Sequence, residues 1–365
     1  MNRKIIRKLL LLIIAAVVIF AGCSGTENEN TETISAVHRV MLTQEKTVKR
    51  NTFLQNQDFS EFLEQARQGF YIPGLSQYMI PQGIAVSRDT GLTYISAYSI
   101  SPLVSSVIAA VDTETGILKA EYWLYHGDGS LFSGHVGGVA AVGNYLYLSA
   151  EKDDSDGYQI AQINLGKLPR NGGCKLTLDT FVPVHTAPSF LSAFGDYLLV
   201  GNFYHPEGNY DLPDTLEHTV TACEGEQGSY ILGYRITEQG GLTAQDDFPK
   251  AEFVLSAPDR IQGICCQEGI IYLSQSYGRR NNSSLLQYCA ADLVTASEPI
   301  TICGEQLPLY ILDSRSLCDL LTAMPMTEGL CTGPDNKVIV LFESGAKKYD
   351  DGRDRTDTVW YLSIP

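Results

Sequence analysis

The chain has 365 residues, 44% hydrophobic and 19% charged, a globular rather than a disordered composition. Its 42 acidic residues outnumber 26 basic ones, for a net charge of −16. A phosphate-backbone binder clusters Lys and Arg instead, so nucleic acid is not an expected partner, and the acidity bears on solubility and cation attraction rather than on fold.

At the front, Arg3, Lys4, Arg7 and Lys8 precede an apolar run over 9–21 that ends in Phe20-Ala21-Gly22-Cys23. A basic head, an apolar stretch too short to span a bilayer and a small-residue exit predict a secretory signal. The cysteine after Ala-Gly resembles the lipobox of bacterial lipoproteins, with Phe20 where Leu is usual. That resemblance implies cleavage before Cys23, lipidation of Cys23 and a membrane anchor. Residues 1–22 are then the signal peptide, 23–33 a flexible polar tether and 34–365 one domain on the outer, extracytoplasmic face of the membrane.

Five stretches repeat one pattern: an apolar run containing a small residue, a tight turn, and a second strand-like run ending in polar residues. They begin near Pro81, His135, Ala187, Arg260 and Met326. Their turns carry Asp89-Thr90-Gly91, Gly143-Asn144, Gly195-Asp196, Glu268-Gly269 and Asp335-Asn336, residues that tolerate the left-handed conformations of hairpins. Further strands are predicted over 107–112, 118–124, 159–165, 230–236, 284–288 and 358–364. Paired hairpins at this spacing predict an all-β fold, a β-propeller of five blades, or six if 34–80 or 201–259 hide another. Helical spacing marks two short inserted helices at 58–68 and 313–323. Either 37–43 or 47–53 is expected to complete the last blade.

Eight cysteines follow Cys23, an even number that permits disulfides without fixing their connectivity. Cys265 and Cys331 occupy the repeat position held elsewhere by Ala85, Ala140 and Leu191, so they read as small buried hydrophobes. The acidic run around Asp350 has oxygen ligands that suit calcium but lacks EF-hand spacing, and it reads as a solvated loop.

The repeated blades resemble extracytoplasmic β-propellers of the quinoprotein-like, surface-layer and gluconolactonase-like assembly. Glu328-Gly329-Leu330 resembles the Glu-Gly opening of a gluconolactonase-type blade, which implies that Glu328 holds a divalent cation such as Ca²⁺. Propeller geometry sends two loop families to one funnel, those entering each inner strand and those leaving each second strand. The first family supplies Gln82, His135, Arg260, Gln262 and Glu328. The second supplies Tyr98, Glu151, Tyr204, His205, Tyr277, Arg279, Arg280, Asn281 and Glu343.

Aromatics, amides and mixed charge suit a polar small molecule, a sugar or carboxylate, held by hydrogen bonds and stacking. The expected function is therefore ligand or protein-partner binding at the funnel without catalysis. A cation-dependent hydrolase, lyase or lactonase at the same funnel is the first alternative, with His135 or His205 as base and Glu328 or Glu343 as acid. Paired carboxylates for glycoside hydrolysis could come from Glu151, Glu328 and Glu343. A scaffold for another envelope protein is the second alternative.

Overall fold

The computed structural model describes residues 41–363, apart from 151–156, 217, 243 and 246–247. Cys23, the signal and tether segments, and Glu151 lie outside these. Among the described residues no helix is long and apolar enough to cross a membrane.

Five sheets, each with an antiparallel four-stranded core, form the five blades of a β-propeller; those of the first and third blades carry further strands joined in parallel at the outer edge. From the inside outward, the first blade is Met79–Ser87, Leu92–Ser99, Val107–Asp112 and Leu118–Tyr125. The second is Val139–Val142, Tyr145–Leu148, Tyr158–Asn164 and Phe181–Val184. Phe190–Phe194, Tyr197–Gly201, Ser229–Arg235 and Ala251–Ala257 make the third. Ile261–Gln267, Ile270–Gln275, Ser283–Cys289 and Leu317–Ala323 make the fourth. The fifth takes Thr327–Thr332, Val338–Phe342 and Thr358–Leu362 from the end of the chain, and its outer strand Ala66–Tyr71 comes from before the first blade.

The small residue of each repeat has a packing reason. On the paired second strand Ala85 faces Tyr94, Ala140 faces Tyr147 and Cys265 faces Tyr272, and all three tyrosines are buried. A bulky ring on one strand is matched by a small side chain on its neighbour, which preserves close packing. Where the partner is smaller, as in Leu191 opposite Val200, the first position can be larger, while Cys331 stays small opposite Ile339. Burial raises the Cys265 thiol to about 12, and its Sγ lies 3.3 Å from Thr332 Oγ1.

Ring closure differs from the expected one. The segments 37–43 and 47–53 form no closing strand where they are described; Ala66–Tyr71 does this, with Ala66 opposite Leu362 and Gln68 opposite Trp360. The predicted helix at 58–68 shortens to Ser60–Gln65 because its last residues extend to make that edge. Phe62 of this turn packs on Trp360 and Phe342, with centroids 5.4 and 6.4 Å apart. The second predicted helix, at 313–323, is the strand Leu317–Ala323. Its helical stripe counts Leu320, which is solvent-exposed, whereas Leu321 and Ala323 are buried at the two-residue period of a strand. Asp313 caps no helix and instead pairs with Arg315 at 2.5 Å. The described residues of 201–259 hold the two outer strands of the third blade and two small separate hairpins, and no sixth blade.

The chain before the helix is a strap across the fifth blade. Backbone N–H groups of Thr47 and Val48 donate to the buried Asp357 carboxylate at 2.6 and 2.7 Å. Asp354 accepts from Thr52 and Asn56, and Asp350 pairs with Arg355 at 2.9 Å, so the acidic run ties loops together. Asp357→Ala leaves two donors without their acceptor. It should cost about 2 kcal/mol in urea unfolding, and a loss below about 0.5 kcal/mol would show that the strap contributes little.

Candidate functional site

Three of the five inner strands begin with a device that aims one side chain into the funnel. Registers slip between Pro81 and Gly83, between Ile261 and Gly263, and between Thr327 and Leu330. The extra residues include Gln82, Gln262 and Glu328, so three of the predicted entry residues sit on β-bulges, which turn a side chain out of the ladder. A glycine follows each one. A Cβ on Gly83 would stand 2.5 Å from Val139 N, one on Gly138 2.3 Å from Leu191 N, and one on Gly329 2.9 Å from Ile84 N. These glycines bring neighbouring inner strands backbone to backbone. The entries of the inner strands line a funnel of about 1050 Å³, and their other ends line a cavity of about 580 Å³ that shares no lining residue with the first.

The floor of the funnel is a pair of glutamates. Glu328 is 4% exposed, and Glu343 follows the neighbouring strand, its N–H donating to Met326 O at 3.1 Å. The two carboxyls are close enough for each to affect the other's ionisation. Burial, and then the charge of Glu343, hold Glu328 well above the carboxylate range. Burial also pushes Glu343 up to about 7, although Tyr349, Lys348 and Gln82 favour its charged form. Tyr349 Oη and Gln82 Nε2 each donate to Glu343 Oε2 at 3.1 Å. Near neutrality the pair therefore shares a proton, because two adjacent buried carboxylates cannot both ionise cheaply.

Beside the pair, Lys348 Nζ donates to Tyr98 Oη at 3.2 Å. The Tyr98 ring lies 4.3 Å from that of His135, centroid to centroid. Burial in the concave wall, and then repulsion from Lys348, lower the His135 pKa and keep the imidazole neutral near pH 7. Ser149 also lines the funnel; it is 4% exposed and its hydroxyl has no hydrogen-bond partner. Phe203, Tyr210 and Tyr277 form the opposite wall, with Phe203 5.0 Å from Tyr210 and 6.4 Å from Tyr277.

Of the expected residues, the funnel gathers Gln82, Tyr98, His135, Gln262, Tyr277, Arg279, Glu328 and Glu343. Arg279 reaches the next blade, where it pairs with Asp351 at 2.8 Å and covers the Tyr349 ring at 4.9 Å. His205 is one layer back, edge-on to Tyr277 at 4.4 Å. Tyr204 packs on Gly228, and Arg260 lines a separate cavity with Asp259 and Gln275. Asn281 holds its own turn through a 2.8 Å bond to Tyr277 O, and the Arg280 side chain is exposed away from the funnel lining. Lys348, Tyr349 and Ser149 were not anticipated. The first two sit in a charged run that looks solvated, and Ser149 follows the second strand in the same Leu-Ser step as Ser274, with Ile95-Ser96 the first-blade counterpart.

Among the described residues no three His, Cys, Asp or Glu side chains gather for a metal, and Glu151, one of the three carboxyls expected for glycoside hydrolysis, lies outside them.

The fold and the site thus define a five-bladed propeller with a polar funnel. No protein-family model matches the chain, and no curated protein matches it. Among solved structures it is similar to a glutaminyl cyclase from Myxococcus xanthus, at 10% identity and a TM-score of 0.41 over 82% of this chain and 97% of that one. It is also similar to a GH43_1 enzyme from Xanthomonas citri, at 12% identity and a TM-score of 0.42 over 83% and 92% of the two chains. A β-propeller domain from Myceliophteria thermophila aligns at 8% identity and a TM-score of 0.35 over 79% and 99%. Likenesses at this level do not bear on function.

Proposed function

We propose that this protein is a lipoprotein, anchored through Cys23 on the extracytoplasmic face of the membrane, whose funnel binds a neutral polar molecule of sugar size. The observation that carries the reading is the make-up of the funnel. Amide, phenol, imidazole and carboxyl groups converge at its floor between aromatic walls, which suits hydroxyl groups that both donate and accept. A neutral ligand fits better than a carboxylate. The glutamate pair carries negative charge at the floor, and Arg279, the guanidinium at the wall, is already engaged by Asp351.

Calorimetry with neutral mono- and disaccharides, alongside small carboxylates as the contrasting set, tests this. Neutral sugars should bind, and Tyr98→Ala should weaken them about tenfold by removing one aromatic face, a loss of about 1.4 kcal/mol. Binding of carboxylates alone, or of neither set, would reject the reading. Accumulation of the protein with Cys23→Ser in the soluble fraction, against membrane retention of the natural chain, tests the anchor.

A further inference from the structure

We propose that the Glu328–Glu343 pair is a general acid–base centre that adds water to an uncharged acyl compound, an ester or amide, held in the funnel. This rests on the funnel being the ligand site and adds a reaction to it. The pair is not explained as packing. A glutamine at either position would keep a hydrogen bond there without burying a titratable carboxyl. Gln82 and Tyr349 both hold the same oxygen, Oε2 of Glu343, and so leave Oε1 outside those two bonds. The open side of the pair faces a cavity large enough for a ligand and a water.

Two further observations point to a reacting molecule. The Ser149 hydroxyl lines the same cavity, almost wholly buried and without a partner, and a buried polar group of that kind is normally satisfied by water or ligand. Lys348 and Tyr98 form a joined donor pair beside the glutamates, placed to meet an oxygen that gains negative charge. His135 stays neutral there and so adds no second cation.

The chemistry closes on itself. The ionised carboxylate takes a proton from water as the water oxygen bonds to the acyl carbon. The neighbouring carboxyl gives its proton to the carbonyl oxygen as the C=O π bond opens. In the tetrahedral adduct one hydroxyl gives its proton to the ionised carboxylate as C=O re-forms, and in the same step the bond to the leaving alcohol or amine breaks and that group takes the proton of the neighbouring carboxyl. One water is consumed, one acid and one alcohol or amine are made, and the pair again holds one proton.

The test uses two probes on the full mature chain. The epoxide 1,2-epoxy-3-(4-nitrophenoxy)propane reports the pair directly: a carboxylate attacks the ring carbon, the ring C–O bond breaks, and the alkoxide takes the neighbouring carboxyl's proton. One adduct per chain on Glu328 or Glu343 is expected, absent from Glu328→Gln and Glu343→Gln. Hydrolysis of 4-nitrophenyl acetate should fall about 100-fold in either variant and follow a bell-shaped pH profile. Glu343→Asp should restore part of the rate if the carboxyl acts chemically, and thermal melts confirm that each variant folds. Hydrolysis unchanged in both Gln variants overturns the proposal. If labelling persists in that case, the pair is an accessible binding element and the funnel reading survives. Loss of sugar binding in the natural protein would instead remove the reading beneath it.

Discussion

Gly138→Ala should destabilise the propeller by about 3–5 kcal/mol, whereas Gly127→Ala should change stability by no more than about 0.5 kcal/mol. Neither glycine has a left-handed backbone, so the contrast isolates close approach from conformational freedom. A methyl on Gly138 would stand 2.3 Å from Leu191 N and 2.8 Å from Phe190 C, both backbone atoms of the next blade. Side chains can rotate away from such a clash, but an inner strand paired through Phe190–Phe194 and Tyr197–Gly201 cannot shift without straining its sheet. At Gly127 an added Cβ meets nothing within 4 Å. Urea midpoints of the two variants decide the matter; equal midpoints would mean that the blades slide freely at the axis.

Glu343→Gln should stabilise the protein at pH 8 relative to its effect at pH 5, by about 2–3 kcal/mol. Glu343 rises from about 4.5 to about 7 on folding. Between those values the folded chain holds a proton that the unfolded chain has released. Its favourable contribution is complete below about 4.5 and is lost as pH rises through about 7. Glutamine cannot ionise, so the variant escapes that loss. The natural protein should accordingly lose stability from pH 5 to pH 8 more steeply than the variant. Parallel pH profiles would show that the two carboxyls do not interact as the structure has them.

Much of this was legible in the chain because the repeat acts locally. Gln82-Gly83, Gln262-Gly263 and Glu328-Gly329 stand at the same point of their copies, and the turn residues two strands apart fix each hairpin. The blade count follows from that periodicity, as does the gathering of eight expected side chains at one mouth. What was not legible depends on contacts between distant segments. The strand that closes the ring is chosen by pairing of Ala66–Tyr71 with Thr358–Leu362, not by any property of its own six residues, of which two are glycine and arginine. Leu320 misleads because an exposed leucine in a strand copies a helical stripe. The role of Lys348 and Tyr349 emerges only when the loop after Phe342 folds back over Glu343.

Where neighbouring inner strands meet at Gly83, Gly138 and Gly329, no side chain stands between them, so a bulkier residue at any of these positions would push two blades apart rather than fill a gap.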